Sequence, residues 1–94
     1  MKLSRYYRAV RKELASGIPA DVWSEAGIWF VVFDLTVPTG GTVVFLLDSS
    51  LNVLSARKVL MDESGEQATV TDLNGDLLTR VHSPSDGAAT YERF

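Results

Sequence analysis

No cysteine occurs among the 94 residues, and histidine occurs once, at His82. The lack of thiols removes disulfides, thiolate metal sites and cysteine nucleophiles together. It fits a reducing compartment. One histidine without cysteine does not assemble a common zinc site, so neither a metal nor any other cofactor is expected. Long apolar runs are also missing. The longest, residues 28–33, has six residues and cannot span a bilayer. The N-terminus is charged through Glu13 and shows no apolar core of a secretory signal. Asn52 precedes Val53 and Leu54, and Asn74 precedes Gly75 and Asp76, so no glycosylation acceptor exists. These absences point to a cytoplasmic protein with no membrane segment.

Acid is absent from the first twelve residues. Five of the nine basic residues lie there: Lys2, Arg5, Arg8, Arg11 and Lys12. The remaining chain carries four bases against twelve acids. A basic helix is thus separated from an acidic body, and the net charge of −3 argues against the whole surface binding nucleic acid.

What is present is a globular composition, 46% apolar and 10% aromatic, sized for one domain over residues 1–94. At about 100° per residue, Leu3, Tyr6, Tyr7, Val10 and Leu14 share one helical stripe. Lys2, Arg5, Arg8 and Lys12 gather opposite, with Arg11 at the margin. A helix is expected over residues 4–16, with Ser4 as N-cap and Gly17 just past its end. A second, short helix is expected over residues 19–26. Pro19 suits its first position, Asp21 and Glu25 favour an early turn, and Gly27 ends it.

The rest reads as strands: residues 28–37, 42–48, 52–60, 67–72 and 76–82. They are separated by Pro38-Thr39-Gly40-Gly41, by Asp48-Ser49-Ser50, by a polar loop at 61–66 and by Asn74-Gly75. Asn-Gly between strand patterns predicts a hairpin with a type I′ turn. The fold class is therefore α+β: an N-terminal amphipathic helix and a short second helix packed on a five-stranded antiparallel β-meander. Residues 1–27 form the helical part, 28–82 the sheet, and 83–94 a loose C-terminal segment. At an offset of 24 residues, Asp48, Asn52, Val53, Leu54 and Ser55 match Asp72, Asp76, Leu77, Leu78 and Thr79. Two hairpins using the same turn chemistry account for this.

The first two strands are apolar on both sides. One helix covers one face, so something else must cover Phe30, Val32, Val44 and Leu46: the short helix bearing Val22 and Trp23, the tail bearing Tyr91 and Phe94, or another protein chain. A homodimer follows where that chain is a second copy.

The residues closest to chemical motifs have plainer readings. Asp72, Asn74 and Asp76 have the spacing of the first half of a calcium loop, but Leu77 stands where glycine is needed and Ser83 where glutamate is needed. A turn explains them. Asp34 follows six apolar residues, where burial would raise a carboxyl pKa, but a strand leaving the core there would put it in water. Ser83 beside His82 is poorly placed for activation, since neighbouring strand residues point to opposite faces. Gly40-Gly41 precedes a strand and lacks the lysine of a phosphate loop.

The expected function is a non-catalytic protein-binding module, a small regulator or inhibitor acting by occupying a partner's surface. Its candidate contact residues are Lys2, Arg5, Arg8, Arg11 and Lys12 on the helix. Further candidates are Phe30, Val32, Val44 and Leu46 on the sheet, and Asp62, Glu63 and Glu66 in the acidic loop. The alternative is nucleic-acid association through the basic helix face, with Tyr6 or Tyr7 stacking on bases.

Overall fold

The computed structural model describes residues 3–36, 41–61 and 67–82, with only the backbone described at Val81 and His82. Helix α1 spans Leu3–Val10 and continues as a single 3-10 turn, Arg11–Glu13. Six strands follow: β1 Asp21–Glu25, β2 Ile28–Asp34, β3 Gly41–Leu47, β4 Val53–Met61, β5 Gln67–Thr71 and β6 Leu77–His82. Each is antiparallel to the next, giving one meander in the order β1 to β6. The α+β class and the N-terminal helix agree with the sequence. The strand count does not.

The expected helix at residues 19–26 is strand β1. Glu25 pairs with Ile28 across a two-residue turn, Ala26-Gly27, in which both residues have positive φ (52° and 80°). Such a turn matches the twist of a hairpin, and the free edge of β2 offers five residues a backbone partner that a short helix lacks. Gly27 therefore closes a hairpin and does not stop a helix. Val22 and Trp23 point to opposite faces, as strand geometry requires.

The first helix is also shorter than its apolar stripe. After Val10, the stripe residue Leu14 leaves the helix and bridges Leu35. The Ala15 N–H donates to the Asp34 carbonyl at 2.8 Å, and the Thr36 N–H donates to the Glu13 carbonyl at 2.9 Å. These bonds make residues 13–15 a short extension of the sheet. Ser4 lies one residue inside the helix instead of capping it.

The two sheet faces hold two apolar clusters. Under α1, Val10 and Leu14 pack with Phe33, Leu35, Val43, Phe45, Leu47 and Ala56. Tyr7 tilts against Phe33 at 5.5 Å, and Phe33 meets Phe45 edge-on at 5.9 Å. On the other face Val32, Val44, Val59, Ala68 and Val70 form the second cluster, flanked by Trp23, Leu46 and Met61. Trp23 stacks on Phe30 with parallel rings 4.8 Å apart.

Candidate functional site

α1 is only eight residues long and covers part of its sheet face. Near its first turn the sheet stays open, leaving a cleft of about 610 Å³. Leu3 and Ser4 of α1, Val22 of β1, Trp29 and Val31 of β2, and Leu47 of β3 line it, together with Ser50, Leu51 and Asn52 of the β3–β4 turn. Three apolar side chains here face solvent: Val22 (49% exposed), Trp29 (38%) and Leu51 (60%).

Leu51 sits in a left-handed conformation, with φ of 65°. For a branched L side chain this conformation costs about 1–2 kcal/mol. The turn around it is otherwise well made. Asp48 Oδ1 accepts from the N–H groups of Ser50 and Asn52, each at 2.9 Å. The Asp48 N–H donates to the Asn52 carbonyl, and the Leu51 N–H donates to the Asp48 carbonyl. The two bonds to Oδ1 favour the carboxylate. The Asn52 backbone N–H leads in holding Asp48 below the ordinary value of 3.8.

The β5–β6 hairpin repeats this turn. Asp72 Oδ1 accepts from Asn74 and Asp76, and the Gly75 N–H donates to the Asp72 carbonyl. Here the left-handed position is Gly75, with φ of 94°. Asn74 is not left-handed, so the turn is a type I turn closed by a left-handed glycine, not the expected type I′. The calcium-like spacing is thereby explained as turn chemistry. The 24-residue offset aligns Leu51 with Gly75. One hairpin uses glycine where the geometry asks for it, and the other keeps an exposed leucine at the cleft.

Four of the five cations read from the sequence are described, and all four are exposed: Arg5, Arg8, Arg11 and Lys12. None of them makes an ion pair with another of the described residues. The described ion pair belongs to Lys58 and Glu13, whose atoms meet at 2.8 and 3.0 Å. Arg8 follows Ser4 by one turn, so it continues the helix flank that borders the cleft. Lys2 and the acidic loop residues Asp62, Glu63 and Glu66 lie outside the described residues, as does the segment 83–94. On the sheet, Phe30, Val32 and Val44 are buried and Leu46 half-buried.

Asp34 is exposed where β2 ends. The backbone of His82 pairs with Gln67, and its side chain lies outside the described residues. Four strand spacings separate β2 from β6, roughly 19 Å along the sheet. The carboxylate and the histidine backbone thus sit on well-separated strands. A smaller cleft of about 370 Å³ lies on another side of α1, between Tyr6, Ala9, Leu54 and Leu73. No helix among the described residues is long and apolar enough to cross a membrane.

The apolar stripe and the basic face were legible in the sequence, whereas the cleft was not. It depends on where α1 stops, which is set by the Leu14–Leu35 bridge. Among protein-family models, curated proteins and solved structures, none matches this chain.

Proposed function

We propose that this chain is a non-catalytic protein-binding module, a small regulator or inhibitor that occupies a partner's surface through the cleft at the start of α1. The partner segment carries an apolar anchor for the space between Val22, Trp29 and Leu51, and acidic residues for the basic helix flank. Leu51 carries this reading. A strained, solvent-facing leucine reduces stability, while the sister turn shows that glycine fits the same place. Backbone strain kept at an exposed position is a mark of a binding role. The exposed cations supply charge complementarity and speed encounter with an acidic partner. A cytoplasmic setting belongs to the same proposal and rests on the absence of cysteine.

Nucleic-acid association uses the same cations and is the second reading. It is weakened by the tyrosines, which pack toward the core, Tyr7 against Phe33. Stacking on bases needs them exposed.

The test is selection of displayed peptides on the immobilised chain, followed by binding to two variants. Acidic peptides with a Leu, Ile, Phe or Trp anchor are expected. They should bind Leu51→Gly and Trp29→Ser at least tenfold more weakly. Leu51→Gly should meanwhile fold as stably as the parent, or gain up to about 1 kcal/mol by losing the left-handed strain. Peptides that bind Leu51→Gly as well as the parent would remove the cleft from the account. A preference for DNA that falls steeply with salt would favour the second reading.

A further inference from the structure

β4 outruns its neighbour. It spans nine residues, but only four of them, from Lys58 to Met61, pair with β5. At Asp72 the chain turns away into the β5–β6 hairpin. Residues 53–57, about 17 Å of strand, therefore pair with β3 on one side and meet no described strand on the other. The cleft of about 370 Å³ lies along that free side, walled by Tyr6 and Ala9 of α1 and by Asp72, Leu73 and Asn74.

The ladder shows which backbone groups face it. The Leu35 N–H donates to the Gly41 carbonyl at 3.0 Å, so Gly41 bonds toward the β2 side. In an antiparallel ladder the bonding side alternates from residue to residue. Thr42, Val44 and Leu46 thus bond toward β4, where they face Val59, Arg57 and Ser55. Lys58 and Ala56 turn their N–H and C=O the other way. Lys58 meets Thr71 of β5, and Ala56 follows with no described strand opposite. Its carbonyl instead accepts from the Arg57 guanidinium at 2.9 Å. An arginine side chain thus holds the place of a strand's N–H, and Ala56 is only 6% exposed.

The side chains at this edge define what fits. Leu46 faces Ser55 and Leu47 faces Val53, so Leu54 is the extra residue of a bulge, and it is 56% exposed. With half-buried Leu73 it gives the cleft apolar walls. Arg57, and Arg5 one turn before Ala9, bring two positive charges. Against them stands Asp72, whose Oδ1 is already engaged by the N–H groups of Asn74 and Asp76. Ser55 also lines the cleft, and its hydroxyl is buried without a partner among the described residues. Such a group is costly to leave unmade.

We propose that the free edge of β4 takes an extended segment of a partner protein as an added strand, one that carries an acidic side chain. The segment's N–H replaces the Arg57 guanidinium on the Ala56 carbonyl, and its carbonyl accepts from the Ala56 N–H. The released guanidinium pairs with the segment's carboxylate. Apolar side chains at alternate positions meet Leu54 and Leu73. This edge is separate from the Leu51 cleft and does not depend on the function proposed there.

The probe is a displayed library of short random peptides, selected on the Leu51→Gly chain so that the other cleft is weakened. Selected peptides should be rich in β-branched residues and carry Asp or Glu. Added to the isotope-enriched parent chain, they should shift the amides of Leu54, Ala56 and Leu73 and leave the Trp29 indole N–H unmoved. The best peptide is then made in two N-methylated forms, one blocked at odd positions and one at even positions. Alternate N–H groups face the edge, so one form should lose about tenfold or more in affinity while the other binds like the parent peptide. Equal loss in both forms, or in neither, overturns the added strand. Arg57→Glu should reverse the preference from acidic peptides to their lysine counterparts, and an unchanged preference overturns the charge pairing. Peptides that map to Trp29, or no selected peptide at all, overturn the edge site and leave the Leu51 cleft to its own test. Self-association of the free chain that shifts the same amides assigns the edge to a second copy and also overturns it.

Discussion

Asp48 shows how much one carboxylate organises. It accepts two backbone N–H bonds and one from the Asn52 amide, closing the turn that presents Leu51. Its pKa lies below the ordinary value of 3.8, led by the Asn52 backbone bond. A lowered folded pKa means stability is present above the unfolded value and is lost as pH falls through the folded one. The Ser50 and Asn52 amide resonances should therefore shift in acid with an apparent midpoint below 3.8. Asp48→Asn should remove that titration, and a midpoint at or above the ordinary value would contradict the turn bonding. The chemistry at this turn was legible: the match of Asp48 and Asn52 to Asp72 and Asp76 already implied two turns of one kind. The strain at Leu51 needed the backbone angle.

At the scale of elements, the instructive difference lies in residues 11–25. An apolar stripe running to Leu14 reads as one long helix, and Pro19, Asp21 and Glu25 read as the start of another. Both readings rest on local preference, which is weak against tertiary pairing. The bridge from Leu14 to Leu35 ends the first helix, and the free edge of β2 recruits the second segment as a strand. Five residues are too few to separate a period of 2 from one of 3.6. By contrast, the strands from β2 onward were legible because turn residues separate them and their β-branched content is high.

One tie holding the 3-10 turn to β4 was invisible in sequence. Lys58 is buried on the helix side of β4, and Glu13, 45 residues earlier, receives both of its hydrogen bonds. Glu13→Gln leaves the buried ammonium without its counter-charge and should cost about 1–3 kcal/mol. Lys58→Met removes the buried charge itself, leaves a half-exposed Glu13 to rehydrate, and should cost less. Urea unfolding of the two variants checks this order. The reverse order would mean that the pair is not what fixes the turn.

Across the molecule, the described residues form a six-stranded meander with two differently finished faces. One carries α1, which is too short to cover it and leaves a cleft between apolar side chains and a basic flank. The other holds the second apolar cluster, around Val44 and Val70. Segregated charge was legible from the first twelve residues, but its placement beside the cleft was not, because that follows from where α1 ends. The most direct measurement is a chemical-shift map of the isotope-enriched chain titrated with an acidic peptide bearing one leucine anchor. The account predicts shifts concentrated at the Trp29 indole N–H and the amides of Leu3, Val22, Leu51 and Asn52, with β5 and β6 unmoved. Shifts centred on β5 and β6, or none at millimolar peptide (about −4 kcal/mol), would contradict it.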